Sequence, residues 1–433
     1  MKPGAGPRLK ALGDLFRNYA GPAFAVQLWD GWSWYSSQTE DLECTIRFSN
    51  PAGLRMFLAH PNQLSLGEAF VRGDIDVDGD IFAAFSVAEH LFTRASDASE
   101  PLLQRLGVAL LNLERLIRNG VRHSLRRDSH AISYHYDQPV AFYKPWLGPT
   151  LAYSCAYFQS AEDSLDAAQM NKIDLICRKL RLRPSDRFLD IGCGWGSLVL
   201  HAANEYAVHA HGITLSKEQA RVATGRVSES RLSQRCQIEL RDYRTLRDIT
   251  QPFDAIASIG MFEHVGIKNM SEYFAIALSC LKPGGVFLNH GIAFTAPSEQ
   301  NSFMHKFVFP DAELVTVSHA LSVAESAGFE VRDVENLREH YALTLRRWVD
   351  GLQQQAETLR KLVPETTYRI WLLGMAGAGR AFETGEMGVF QALLSRPHNG
   401  KSHLPLTRSD WYDLSPSSEA DSRSSSMAGA PEL

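Results

Sequence analysis

Two stretches hold residues able to do chemistry: "LDIGCGWGS" at 189–197 and "YSCAYF" at 153–158. In the first, "RFLD" (187–190) reads as a short buried strand and "GSLVLHAANEY" (196–206) as a helix. Gly192, Gly194 and Gly196 mark the turn between them. Lacking a Cβ, they let the backbone turn tightly and approach a ligand closely. The third glycine comes one residue too early for the dinucleotide fingerprint, and no Gly-Lys-Ser/Thr follows to make a phosphate-cradling loop. A strand ending in Asp190 before Gly-x-Gly-x-Gly suits S-adenosylmethionine, which has no phosphate and needs an acceptor for its amino group. Asp190 can serve that zwitterion directly or through water. The same pattern also occurs as a strand–turn–helix with no ligand.

Three further stretches fall at positions where side chains could meet: "IGMFEHVG" (259–266) after the fourth strand, "NHGIAF" (289–294) at the end of the fifth, and "EHYALTLRRW" (339–348) opening a late helix. The two strand ends point into one crevice, so "YSCAYF" and the late helix must fold over it. Taken singly, each residue has an ordinary reading. Cys155 suits a small buried hydrophobe, Glu263 a helix cap or ion pair, His290 a satisfied core histidine, and Tyr341 a helix residue with its hydroxyl in water.

The elements that must position these residues can be read along the chain. With 433 residues, 45% hydrophobic and 21% charged, the composition is that of a globular protein of two or three domains. No apolar run approaches the roughly 18 residues of a membrane span. The opening "MKPGAGPRLK" leads into no apolar signal core, which points to the cytosol. A net charge of −5 gives no reason to expect nucleic acid. The six cysteines form no C-x-x-C pair, so no metal site is expected and reduced thiols fit the cytosol.

Residues 1–95 read as a small α+β unit, with strands in "FAVQLWDGWSW" (24–34) and "LECTIRFSN" (42–50) and a helix at 51–61. "LGEAFVRGDIDVDGDI" (66–81) reads as a turn-rich hairpin, with "VRGDI" as strand. Its Asp74, Asp76, Asp78 and Gly79 mimic the start of a calcium loop, but the required glutamate position is Phe85. Residues 96–130 form a linker whose leucines recur at helical spacing over 102–126, with an arginine-rich face. That helix either packs on a neighbouring domain or lies on anionic lipid headgroups.

Residues 131–396 alternate strands and helices, with strands read at 187–191, 208–213, 236–240, 253–259, 285–292, 329–335 and 386–393. "LKPGG" (281–285) is read as a turn into a strand. This alternation predicts an α/β domain with a doubly wound, mostly parallel sheet. Insertions before 187 and at 294–328 and 338–385 then stand over the crevice as a helical lid. Residues 397–433 form a tail, Ser-rich and expected to be disordered from about 415.

Together these motifs resemble those of the cyclopropane-fatty-acyl-phospholipid synthases and the related mycolic acid cyclopropane synthases, from about residue 24 to 396. The resemblance implies a Rossmann-like class I methyltransferase domain. It implies a catalytic set of Cys155, Glu263, His290, the backbone of Ile292, and Tyr341, holding a bicarbonate ion that acts as base. For S-adenosylmethionine it implies Tyr153, Ser154, Gly192, Gly194, Thr214, Gln219, Asp242 and Tyr243, beside Asp190 and Gly196 of the loop itself. The second strand ends without the acid that many methyltransferases use for the ribose hydroxyls, so Thr214 and Gln219 take that work. Some relatives carry a cysteine where "MAGAG" has Met375, which excludes a thiol nucleophile there.

The implied reaction transfers a methyl to the cis double bond of an unsaturated phospholipid acyl chain, followed by loss of a proton and ring closure. An isolated alkene is a poor nucleophile, so positioning, worth about 7–11 kcal/mol, and exclusion of water are the main demands. The double bond lies about ten carbons from the ester, and exposing them to water costs ~8 kcal/mol at ~0.8 each. An apolar tunnel opening on a bilayer surface is therefore required, with transient association at the inner face of the cell membrane. Alternatives are a same-fold methyltransferase making a methyl branch or using another acceptor, and a lipid-binding protein without turnover. A homodimer through residues 1–95 is a further expectation.

Overall fold

Burial alternates along Cys44–Phe48 (β3): Cys44, Ile46 and Phe48 point inward while Thr45 and Arg47 do not. This strand is central to a four-stranded sheet. Phe24–Gln27 (β1) lies parallel to it and forms a hairpin with Ser33–Tyr35 (β2), and Ile75–Gly79 (β4) covers the other edge. The computed structural model describes residues 12–37, 41–59, 62–96, 138–296, 303–309 and 312–412. The amphipathic stretch at 102–126 and the tail from 415 lie outside them.

Helices Pro51–Ala59 (α1), Gln63–Arg72 (α2) and Ile81–Ser96 (α3) accompany the small sheet. The sequence reading of "VRGDI" as strand is corrected here: Val71 and Arg72 finish α2. A capping box between Asn62 and Ser65 starts that helix, and Gly73, at φ 79°, ends it in the left-handed conformation. The segment 66–81 is thus helix, turn and strand, not a hairpin. Its aspartates are occupied. Asp74 accepts from Asn50 at 2.7 Å and Arg72 at 2.9 Å, Asp76 pairs with Arg369 at 3.0 Å, and Asp78 pairs with Arg47.

The larger sheet has seven strands in the order β10-β11-β9-β8-β5-β6-β7. They are Arg187–Ile191 (β5), His209–Thr214 (β6), Cys236–Leu240 (β7), Phe253–Ile259 (β8), Leu281–Phe294 (β9), Glu330–Asn336 (β10) and Met387–Ser395 (β11). β11 alone runs antiparallel to its neighbours. Phe188 enters one core cluster and Leu189 and Ile191 the opposite one; Leu288 and Phe287 split the same way. Burial on both faces explains why these strands read as continuous apolar runs. The expected turn at "LKPGG" is instead part of β9, whose register with β8 shifts there and whose Gly284 takes φ 82°.

Leu165–Lys179 (α5) packs before the sheet, after Val140–Leu147 (α4); Ser197–Glu205 (α6) and Lys217–Glu229 (α7) follow β5 and β6. Met270–Cys280 (α8) and Val317–Ser326 (α9) come later. Arg338–Gln354 (α10) and Glu365–Thr384 (α11) are the inserted lid helices. They meet α4 in an aromatic cluster, with Trp146 5.8 Å from Trp348 and 5.6 Å from Trp371 between ring centroids.

α11 also holds the small N-terminal unit. Arg369, largely buried, donates to the Phe70 carbonyl at 3.0 Å and pairs with Asp76 and Glu365. Arg380 grips Glu89 of α3 through two 2.8 Å bonds. Replacing Arg369 by Met is expected to cost about 2–4 kcal/mol, because a buried carbonyl and a carboxylate lose their partner. Urea unfolding of parent and variant measures it.

Candidate active site

The loop after β5 turns through Gly192 (φ 87°) and Gly194 (φ 54°), conformations that side-chain-bearing residues rarely adopt. A Cβ on Gly192 would also meet Met261 at 3.0 Å. This turn floors a cavity of about 140 Å³ lined by Tyr153, Ser154, Asp190, Gly192, Gly194, Thr214, Gln219 and Tyr243. Each of these is among the residues expected at the cofactor from the sequence motifs. Asp190 is buried, and its Oδ1 has no hydrogen-bond partner. Burial pushes its carboxyl up to about 7, against the pull of Lys172.

Two of the implied cofactor residues also serve as local caps. Gly196 caps α6 with φ 87° and is absent from the cavity lining. Asp242 caps the turn at 243–248, accepting from the Arg244 backbone at 2.9 Å and its guanidinium at 2.6 Å. It too is absent from the lining. At the end of β6, the Thr214 hydroxyl donates to Gln219 Oε1 at 2.8 Å. With that oxygen taken, Gln219 offers amide N–H donors to a ligand.

Lys172, unnoticed in the sequence, lines the same cavity. It is almost wholly buried and donates to the Ser154 hydroxyl at 2.8 Å. Burial lowers its ammonium to about 8. A readable signal existed: Ala168, Lys172, Leu175, Ile176 and Lys179 share one stripe of α5, so two lysines stand on an apolar face.

A second cavity, about 300 Å³, adjoins the first, sharing Tyr153, Ser154, Gly260 and His264. Cys155, Glu263, His290, Ile292 and Tyr341 all line it. The five residues brought together on motif resemblance thus face one space, delivered by four separate parts of the chain. Glu263 sits in a single 3-10 turn after β8, which is tied to β9 where the Gly260 N–H donates to the His290 carbonyl at 2.8 Å. Tyr341 comes from the first turn of α10, its ring tilted 44° to that of Phe382 with centroids 4.6 Å apart.

The remainder of the wall is mostly apolar, with Gln63, Glu89, His305, Arg380 and Glu386 also among its residues, and spans both parts of the molecule. Phe57, Phe70, Ile75 and Phe85 of the N-terminal unit face Phe303, Leu373 and Met375. Met375 Sδ accepts from the Tyr153 hydroxyl at 3.8 Å.

Among the residues lining this cavity, Glu263 Oε2 and His290 Nε2 are buried without hydrogen-bond partners. Burial raises the Glu263 carboxyl to about 7 and lowers the His290 imidazolium to about 3, so His290 is neutral. The Ile292 N–H donates to Glu263 Oε1 at 2.7 Å. This corrects the expectation that the Ile292 backbone is one of the groups holding a bound anion: it is spent on orienting the carboxyl. Cys155 is fully buried with its Sγ on the Ala156 and Leu337 carbonyls, and burial drives its thiol far above the usual range.

Among the described residues no helix is long and apolar enough to cross a membrane, and no group of His, Cys, Asp and Glu is arranged to hold a metal.

Comparison with known proteins agrees with this geometry. The family model described as mycolic acid cyclopropane synthetase matches residues 123–392, and one described as a domain of unknown function matches residues 11–97. A probable fatty acid methyltransferase of Pseudomonas putida is 39% identical over 398 residues, 89% of this chain and 95% of that protein. The cyclopropane-fatty-acyl-phospholipid synthase of Escherichia coli K12 is 32% identical over 353 residues, covering 81% and 87% of the two chains. The crystal structure of mycolic acid cyclopropane synthase CmaA1 complexed with SAH and CTAB superposes with a TM-score of 0.59 at 32% identity, over 61% of this chain and 97% of that one. An Asp-tipped strand with its glycine turn, opening beside an apolar chamber that holds Glu263 and His290, therefore has its place in a known lineage: the chain belongs to the mycolic acid cyclopropane synthetase family of S-adenosylmethionine-dependent methyltransferases.

Proposed function

We propose that the protein transfers a methyl group to the cis double bond of an unsaturated phospholipid acyl chain and closes a cyclopropane ring. The observation that carries this reading is the pair of adjoining cavities: one glycine-floored with buried Asp190, the other mostly apolar with the unpartnered Glu263 Oε2 and His290 Nε2 among its lining residues. In the overall change, the donor's S–CH3 bond breaks, two C–C bonds form to the alkene carbons, and one proton leaves the incoming methyl.

S-adenosylmethionine, held in the smaller cavity, supplies the electrophilic methyl. Asp190 Oδ1 accepts from its amino group, while the Lys172 ammonium and the Ser154 hydroxyl face its carboxylate. Gln219 N–H groups donate to the ribose oxygens. The resident cation and carboxylate mirror a zwitterion, which explains why two such costly groups are buried together.

In the larger cavity the apolar wall orients the acyl chain and keeps water from an electron-deficient carbon. Glu263 and His290, whose Oε2 and Nε2 lack protein partners, are the residues that would hold a bicarbonate ion, which would supply the base. Near neutrality burial keeps part of the Glu263 carboxyl protonated. The ionised fraction would accept the O–H of a bound bicarbonate, an acceptance that a glutamine N–H cannot supply, while His290 Nε2–H would donate to the anion, with Tyr341 beside them. An apolar chamber of this kind requires the chain to enter from a bilayer surface, so association with the inner face of the cell membrane belongs to the same proposal.

A second reading, a methyl branch without a ring, is favoured by the name of the 39% identical relative, a probable fatty acid methyltransferase. Proton NMR of the product lipids separates the two, since cyclopropane protons resonate far upfield.

Expression in a bacterium is expected to add the mass of one CH2 to unsaturated phospholipid chains, with ring protons in the NMR spectrum; unchanged lipids would refute the proposal. Glu263→Gln is expected to lower turnover by about 100-fold or more. It also changes stability with a defined sign. The parent carboxyl folds with its value raised from 4.5 to about 7, so its contribution is fully present below pH 4.5 and lost as pH rises through 7. The glutamine does not titrate, so the variant gains on the parent across that window, by on the order of 1–3 kcal/mol in denaturant titrations at pH 4.5 and pH 8.

Lys172→Met is expected to weaken S-adenosylmethionine binding about 10-fold or more by calorimetry, with lipid affinity retained. Ala88→Phe, in the N-terminal wall of the larger cavity, is expected to shift preference towards shorter acyl chains without altering S-adenosylmethionine affinity. Competition between lipids of different chain length measures this shift.

A further inference from the structure

We propose that Gln391 and Lys179 are positioning residues that lock His290 as its neutral Nε2–H tautomer, making it a hydrogen-bond donor to the reacting site and not the proton acceptor. The inference deepens the function proposed above and rests on it for the meaning of the site, though the tautomer itself does not.

His290, Gln391 and Glu335 form one row across three neighbouring strands. Gln391 of β11 is the direct cross-strand partner of His290 on β9 and of Glu335 on β10. Gln391 is buried, and its Nε2 lies 3.2 Å from His290 Nδ1. Its Oε1 lies 2.7 Å from the ammonium of Lys179, the last residue of α5. Lys179 is almost fully buried and forms an ion pair with Glu335. It reaches this row from the apolar stripe of α5 that also carries Lys172.

The chemistry of the groups determines the orientation. An ammonium has only donors, so the oxygen of the Gln391 amide must face Lys179. The amide NH2 therefore faces His290 and donates to Nδ1. Nδ1 must then be the bare, accepting nitrogen. An imidazolium, or the Nδ1–H tautomer, would set two donors against each other in a buried place. The one hydrogen of the neutral ring is left on Nε2, which is buried without a protein partner in a residue that lines the larger cavity. A protonated Nε2 has no lone pair in the ring plane, so it cannot take a proton from the new methyl. Glu335 supplies the negative charge that keeps Lys179 in place, and none of these three residues needs to touch substrate.

The test uses the full-length protein labelled with 15N-histidine. Long-range proton–nitrogen spectra distinguish the two tautomers, and His290→Gln identifies the resonances. The parent is expected to show a protonated Nε2 and a bare Nδ1. Gln391→Glu keeps the shape but replaces the donor by an acceptor, so Nδ1 should become protonated. Its kcat should fall about 10- to 100-fold with KM for S-adenosylmethionine unchanged. Lys179→Arg, also a pure donor, should retain the parent tautomer and most of the activity, whereas Lys179→Met should not.

A parent His290 protonated at Nδ1 overturns the proposal, whether or not any variant folds. So does Gln391→Glu with an unchanged tautomer or with the parent's kcat. If the tautomers follow expectation but no version modifies a lipid, the relay stands and the proposed function falls.

Discussion

Removing charged groups from water is the constraint on which this architecture turns. Lys172, Asp190, Glu263 and His290 are all buried at the edge of one sheet, where their ordinary ionisation is suppressed. A carboxyl drawn up to about 7 and an imidazole drawn down to about 3 differ from their solvated forms by several kcal/mol. Such groups persist only where the surrounding structure over-determines them, and where binding of a complementary ligand offsets the desolvation. The two adjoining cavities have that character: each is lined by a residue with a buried polar atom that lacks a protein partner.

The rest of the fold supplies the dry environment. Parallel strands bring Asp190, Glu263 and His290 to one edge, as open α/β sheets do with their ligands. The inserted helices α10 and α11 and the aromatic cluster around Trp146 cover that edge. The N-terminal unit completes the wall, held through Arg369 and Arg380. Its match is to a domain of unknown function, yet here its Phe57, Phe70 and Phe85 line the same chamber as the catalytic candidates. A chamber walled by two units can be long and apolar without opening the core of either.

Much of this was legible along the chain. Strands at 187–191 and 253–259 were read with the bounds they have, because burial on both faces leaves largely apolar runs; 236–240 was also read with its bounds, although only Cys236 of that strand is buried. The end of α2 was misread because Val71 has strand propensity, while the capping box and Gly73 outweigh one residue's preference. Asp242 and Gly196 lay within recognisable motifs but serve local capping, which a motif does not separate from ligand binding. The Ile292 N–H was assigned to a ligand because nothing in "NHGI" reveals that Glu263 reaches it first.

The sequence alone determined which local structures could form and the order in which the chemical groups arrive, since periodicity, caps and glycine turns are written in short windows. Tertiary structure decided which group faces which. The row His290–Gln391–Glu335 exists only because β11 inserts antiparallel between β9 and β10 in one register. Lys179 joins it only because α5 ends there. Protonation and tautomer follow from desolvation and from donors meeting acceptors, and those depend on residues more than a hundred positions apart in the chain.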